Sequence, residues 1–373
     1  MKKIIVAPDS FKESISSKKA CDIMAEALEK TGRFEVLKMP LADGGEGTLE
    51  IAASLDGSRK KSVEVVNPLG KKVSTEYVIN GKTAIIESAK ACGLTLISAD
   101  ERNPLFTTTY GVGQLVADAL SEDIDSIAIT LGGSSTNDCG AGFLCALGAE
   151  FTGGNLSRFM SENRFVCGKD LCEIKDINLD GLDKRLQNIR ITAVCDVENP
   201  LYGKNGAAYV FAPQKGADEK TVEILDEGLK RFSDIIKKKT GVDISSAKGA
   251  GAAGGLGAAL LLLGADIKKG AETVLSLVGF DDAVKTADYV FTGEGRFDRQ
   301  SFMGKTVGTV YAHSYRNKVP VAVFAGETET DDLPDGIKAV SINPEGVSLK
   351  EAMENTEENL YNATVKFVNA EML

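Results

Sequence analysis

The two ends of this chain are written in one grammar and its middle in another, and that contrast limits the folds open to it. Lys2 to Ala7 is an apolar run of strand length that stops at Pro8 and Asp9. From about Ser17, the residues Ala20, Ile23, Met24, Ala27 and Leu28 recur at spacings of three and four until Gly32, which predicts an amphipathic helix. Phe34 to Leu41 is the next strand and completes a βαβ opening. The same alternation returns near the C-terminus, with Ala287 to Thr292, a helix from Val307 to Tyr315, Val319 to Ala325, Ala339 to Asn343 and a terminal helix from about Leu349. In between, Val63 to Val66, Val73 to Ile79 and Thr83 to Ile86 are short strands, joined by a turn over 67–70 and by Asn80 and Gly81, a strong hairpin signal. Parallel units around hairpins predict an α/β protein of two domains. Residues 1–66 and 286–373 complete one sheet, and 67–285 form an inserted mixed α/β domain. The 373-residue length agrees, because a single core stops growing below that size.

The segment from Thr130 to Gly142 sets glycines, hydroxyls, an amide and a carboxylate between a strand and a helix. Glycines let backbone N–H groups approach an oxyanion, and a helix start offers unpaired donors. The expected phosphate cradle is therefore Gly132, Gly133, Ser134, Ser135 and Thr136, with the N–H groups around Gly140, Ala141 and Gly142. Gly249 to Gly257 is a second phosphate candidate through Gly251 and Gly254, or equally a place where a helix packs closely. Ala42 to Thr48 and Thr292 to Asp298 have the same character, and four such segments together suggest a polyphosphate site.

In open α/β sheets ligands sit outside the carboxyl ends of the strands. Predicted strands end immediately before Asp9, Asp43, Asp196 and Glu294, and the strand from Ile127 to Leu131 leads to Asn137 and Asp138. Acids at strand ends suit a magnesium nucleotide, since Mg²⁺ takes one or two carboxylates plus phosphate oxygens. Asp43 and Glu294 are the candidate Mg²⁺ ligands and ATP the candidate cofactor. His313 is the only histidine and lies outside these segments, so the base for an attacking hydroxyl is expected to be an aspartate, Asp196 first and Asp138 second. Lys12, Lys215 and Arg296 are the cations beside strand ends. Lysine serves as a point charge on phosphate, arginine as a fork on carboxylate. Lys12 is grouped with the catalytic residues, and Ser10, Asn137, Lys215 and Arg296 with the substrate.

Other chemistries fail on the residues. The Gly-Lys-Thr triplets 81–83 and 304–306 mimic the end of a P-loop, but Glu76 and Arg299 stand where its first glycine belongs. Gly249, Gly251 and Gly254 fit the dinucleotide pattern by letter, yet a poor strand precedes them. A single histidine removes the Ser-His-Asp triad and multi-histidine metal centres. The net charge of −11 speaks against nucleic acid. The uncharged stretch from Gly249 to Ala265 is too short for a membrane span. Seven cysteines without a Cys-x-x-Cys, behind an N-terminal apolar run too short for a signal peptide, predict a reduced, cytoplasmic protein.

Seven segments, Asp9 to Lys12, Ala42 to Thr48, Thr130 to Gly142, Cys195 to Leu201, Val210 to Ala217, Gly249 to Gly255 and Thr292 to Asp298, in that order, resemble the bacterial glycerate kinase family of type I, the galactarate-pathway class. The resemblance implies ATP-dependent phosphorylation of D-glycerate, usually at the 2-hydroxyl, and one flavodoxin-like domain interrupted by a long insertion. The chain departs from the pattern at Glu13, where the family often has glycine, and at Ser135 and Cys139, where alanine and glycine are common. An active site in a cleft between the domains would let closure exclude water. The rivals are a kinase of another small hydroxy acid, a small-anion receptor without turnover, and a nicotinamide oxidoreductase. The surplus of strand-end acids, which would repel an anion without a metal, argues against the receptor.

Overall fold

A computed structural model describes residues 1–11, 13–45, 47–153, 165–302, 304–329 and 333–372. The strands among them are β1 (Lys2–Val6), β2 (Phe34–Lys38), β3 (Arg59–Val66), β4 (Lys72–Asn80), β5 (Thr83–Glu87), β6 (Ser126–Thr130), β7 (Glu150–Thr152), β8 (Asp176–Asn178), β9 (Arg190–Val194), β10 (Asp266–Lys268), β11 (Tyr289–Phe297), β12 (Val321–Thr328) and β13 (Ile337–Ser341). The chain divides into two compact units, Met1–Asp43 with Lys269–Leu373, and Gly44–Lys268.

The discontinuous unit is built on a parallel sheet of order β13-β12-β11-β1-β2. Counted along the unit's own chain this is 2-1-3-4-5, the flavodoxin-like doubly wound order, whose switch point lies between the first and third strands. Ile4 and Val6 are fully buried, as parallel strands covered on both faces require. They meet Ala20, Met24 and Leu28 of the helix Ser17–Glu29 and Leu360 and Val368 of the helix Thr356–Glu371. Phe291 and Phe324 lie 5.2 Å apart between ring centres, with Phe367 edge-on to both. Ser16 caps the first helix by accepting from Lys19 N at 3.3 Å.

Two strands differ in length from the sequence reading. β2 closes at Lys38 rather than Leu41, although Met39 and Leu41 still donate to Val6 and Pro8. β11 does not stop at Thr292. It continues through the glycines to Phe297, pairing Glu294 with Ala325 and Arg296 with Glu327. The expected fourth glycine loop is thus a strand, because β12 extends equally far beside it and supplies the ladder partners.

The second unit holds a mixed sheet of order β10-β9-β6-β5-β4-β3. Asn80 and Thr83 pair across the predicted hairpin, with Gly81 at φ +55°. From β5 onward the pairing is parallel. The helix Glu219–Thr240 is capped by Asp218, stops at Gly241 (φ +77°) and buries Val222, Leu225, Leu229, Phe232 and Ile236.

The unit boundaries lie at 43/44 and 268/269, not at 66/67 and 285/286. At the first, β3 pairs with β4 along its whole length, from Arg59 with Ile79 to Val66 with Lys72, so it belongs with the hairpins. At the second, His313 on the helix Thr306–Arg316 meets Asp281 through Nδ1 (2.5 Å) and Glu272 through Nε2 (3.0 Å), tying 270–284 to the discontinuous unit. Neither contact leaves a periodic signal in the local sequence.

Candidate active site

In the second unit β6 delivers the chain to Thr130, and Leu131 still donates to Val194 of β9. Gly132 and Gly133 then stand exposed, Gly133 at φ +70°, while residues 134–142 are all buried. The chain returns beside the segment after β5, where Leu94 N donates to Gly133 O and Ser135 N to Cys92 O at 2.8 Å. Ser135 is spent on the fold, since its hydroxyl also donates to Cys92 O and its carbonyl accepts from Thr107.

The expected cradle at the helix start is already filled by the chain's own anion. Asp138, fully buried, accepts from Gly140 N (3.2 Å), Gly142 N (3.2 Å), Thr109 N (2.8 Å) and Thr109 Oγ1 (2.8 Å), and Ala141 N donates to Asp138 O. Burial raises its carboxyl above the usual range, although these donors pull the other way. The donors of Gly140, Ala141 and Gly142 are therefore not open to a ligand phosphate. Asp138 is a positioning residue of this loop rather than a free base.

The second glycine segment serves close packing, the alternative open at the sequence level. A Cβ at Gly254 (φ +67°) would lie 1.9 Å from Thr136 O, and one at Gly251 would lie 2.3 Å from Pro200 O. Gly251 N donates to Asn199 O, and Gly254 O accepts from Cys139 N at 3.0 Å. Gly251 and Gly254 thus let backbone meet backbone beneath the loop of Asp138, and the phosphate role expected of them is corrected.

What remains open is a polar cluster at the ends of β5 and β6. Lys215, only 2% exposed, donates to Ser134 Oγ (2.9 Å) and Thr136 O (2.7 Å) and among the described residues meets no carboxylate within hydrogen-bonding distance. Burial lowers its ammonium to about 8, with Cys92 and Asp138 opposing. Both side-chain atoms of Asn137 and the hydroxyl of Thr130 are buried without a partner, while the hydroxyls of Ser88 and Thr136 face only the thiol of Cys92. A desolvated cation beside an unsatisfied amide is costly unless something occupies the site. Ser88 was absent from the sequence-level set, although the strand-end rule applied to β5 would have found it. Asp196 lies exposed just beyond β9. The cysteines nearby are buried, and desolvation pushes Cys92 to about 12 and Cys195 to about 11, which leaves them inert thiols.

In the discontinuous unit the switch point between β1 and β11 carries acids. Asp9 N donates to Gly293 O, and its carboxylate accepts from Ser10 N (2.6 Å) and Thr306 Oγ1 (2.5 Å). Glu294 is mostly buried and one of its oxygens has no partner. Desolvation pushes its carboxyl up to about 7; Ser301 and Lys305 oppose this, and Asp9 and Asp298 add to it. Asp43 is half-buried where this unit ends. Arg296 is exposed and already faces Glu329 (2.9 Å), Asp298 (3.3 Å) and Glu327 (3.6 Å). Lys12 lies outside the described residues. Among the described residues no three acids, cysteines or histidines form a metal cage. Mg²⁺ does not need one, and the partnerless carboxylate oxygen of Glu294 fits its chemistry.

The model of the Glycerate kinase family matches residues 4–371. The chain belongs to the glycerate kinase family. It is 42% identical to a glycerate kinase of Halalkalibacterium halodurans, covering 97% of this chain and 96% of that one. To the glycerate 2-kinase of Escherichia coli it is 41% identical, with the same coverage. A crystallised protein of Salmonella typhimurium LT2, given as glycerate kinase 2, superposes with a TM-score of 0.86 at 37% identity over 100% of both chains. Among the described residues no helix is long and apolar enough to cross a membrane.

Two of the departures from the family pattern have a backbone explanation. Glu13 (φ +63°) and Cys139 (φ +54°) both adopt the left-handed conformation, which glycine takes without strain. Glu13 is exposed, so Glu13→Gly is expected to stabilise the protein, by at most about 1 kcal/mol once the greater freedom of glycine in the unfolded chain is counted. A urea midpoint that falls rather than rises would contradict the strain.

Proposed function

We propose that this chain transfers the γ-phosphoryl group of ATP to the 2-hydroxyl of D-glycerate. The observation that carries the reading is the buried amino group of Lys215, which meets no carboxylate within hydrogen-bonding distance among the described residues, on the loop that also holds the unpartnered amide of Asn137. A small anion would satisfy both groups. The relatives named glycerate kinase supply the substrate, and the Escherichia coli relative, named glycerate 2-kinase, favours the 2-hydroxyl.

In this reading Gly132 and Gly133 form the accessible lip, and Ser134, Thr136, Asn137 and Lys215 hold the anionic ligand. Asp43 and Glu294 are the carboxylates assigned to Mg²⁺. When bound with ATP, the ion neutralises the charge on the phosphate oxygens, which phosphoryl transfer needs more than covalent help. The test is phosphorus NMR of the product formed from Mg-ATP and D-glycerate. The expected product is 2-phosphoglycerate, and the expected rate with excess chelator is background. A 3-phosphoglycerate signal would move the reaction to the other hydroxyl, and undiminished transfer without metal would remove Asp43 and Glu294 from this role.

A further inference from the structure

We propose that Lys215 is the proton acceptor of the transfer and that it acts through the hydroxyl of Ser134. The inference rests on the glycerate kinase reading above and names the group that takes the proton.

Lys215 ends the short turn Pro213–Lys215, and Gly216 follows it at φ +94°. This turn buries the side chain, and the amine lies between two neutral oxygens, Ser134 Oγ and Thr136 O. A neutral amine fits that pair: one N–H donates to the Thr136 carbonyl while the nitrogen lone pair accepts from the Ser134 hydroxyl. An ammonium there would be a buried charge without a hydrogen-bonded counterion, which is expensive. The titratable groups facing it are Cys92, whose thiol burial keeps protonated, and Asp138, whose oxygens are held by four donors. Asp138 favours the ammonium, as a Cys92 thiolate would, and desolvation outweighs them, leaving the amine at about 8. A base poised near the working pH is what general-base catalysis favours. Ser134 directly follows the exposed Gly132 and Gly133 in the chain, and its hydroxyl is the group in contact with Lys215.

The substrate hydroxyl oxygen forms a bond to the γ-phosphorus, and the bond from that phosphorus to the bridging oxygen breaks with its electron pair leaving on ADP. The hydroxyl proton passes to Ser134 Oγ as the proton of Ser134 passes to Lys215 Nζ. Lys215 leaves the step as an ammonium beside newly formed phosphate, and ordinary exchange with water resets it.

The experiment is the pH profile of kcat/KM for glycerate, which reports groups of the free enzyme, with the Nζ titration of Lys215 followed by ¹⁵N NMR in the same protein. The expected result is an acid limb with a midpoint near 8 that matches the NMR titration. Lys215→Met should lose roughly 10²- to 10⁴-fold in kcat and lose the limb from any residual activity. Ser134→Ala should lose kcat while Lys215 still titrates, a split that a merely structural lysine would not give. A wild-type profile flat from pH 6.5 to 9, a Lys215 that stays charged above pH 10, or a limb that survives in Lys215→Met overturns the inference even if glycerate is phosphorylated. A wild-type protein inert toward glycerate overturns the functional reading and this inference together. The wild-type measurements decide the matter even if a variant fails to fold.

Discussion

Gly254→Ala is expected to cost about 3–5 kcal/mol, a large fraction of a domain's total stability, on the scale of severe overpacking and forced positive φ. The added Cβ would sit 1.9 Å from Thr136 O and 2.7 Å from Asn137 Cα, both backbone atoms that cannot rotate away. The φ of +67° strains any L side chain even before the clash. Gly133→Ala provides the contrast. Its φ is equally positive, but the Cβ meets only Ala89 Cβ at 3.5 Å, so the cost should stay near the 1–2 kcal/mol of left-handed backbone. Chemical denaturation of both variants checks the pair. If Gly254→Ala unfolds with a wild-type midpoint, the backbone contact between 252–255 and the loop of Asp138 is not what holds this region.

Glu294→Gln should make the metal-free protein more stable at alkaline pH by about 3 kcal/mol. The carboxyl rises from an ordinary value of 4.5 to about 7 in the fold, and each unit is worth about 1.4 kcal/mol. The sign follows from proton uptake. Between the two values the folded state holds a proton that the unfolded state has lost, so stability present below pH 4.5 is lost as pH rises through about 7. Glutamine keeps the shape and cannot ionise, so its stability curve should lack that decline. Urea midpoints from pH 4 to 9 in chelator test it, and parallel curves for the two proteins would show that Glu294 is not desolvated as drawn. A buried acid kept at such a cost at a switch point is what a ligand site requires, because binding the cation recovers the penalty.

Much of the architecture was legible in the sequence because it rests on local rules. Ala20, Ile23, Met24, Ala27 and Leu28 share one helical face whatever surrounds them, and Asn80-Gly81 turns a hairpin wherever it occurs. The strand-end rule brought Asp9, Asn137 and Asp138 into consideration, since topology alone places those positions at the carboxyl edge of a sheet, and it brought in Glu294 although β11 runs on past it. Motif order carried the family.

Tertiary structure decided what each polar group does. The sequence marked the donors of 140–142 as an anion site, and they are one, but the anion is Asp138, completed by Thr109 from 29 residues away. The glycines of 249–257 looked equally suited to phosphate or to packing until Thr136 was seen pressed against Gly254. Lys215 read as one of three strand-end cations, assigned to the substrate, and its contact with Ser134 spans 81 residues. Charge state and hydrogen-bond availability depend on which groups are brought close and on how much water is removed, and both are set by distant segments. Periodicity and spacing record only which way a side chain faces, so the sequence by itself determined the elements, their order and the family, while burial, set by distant segments, lowers the ammonium of Lys215 and raises the carboxyl of Glu294.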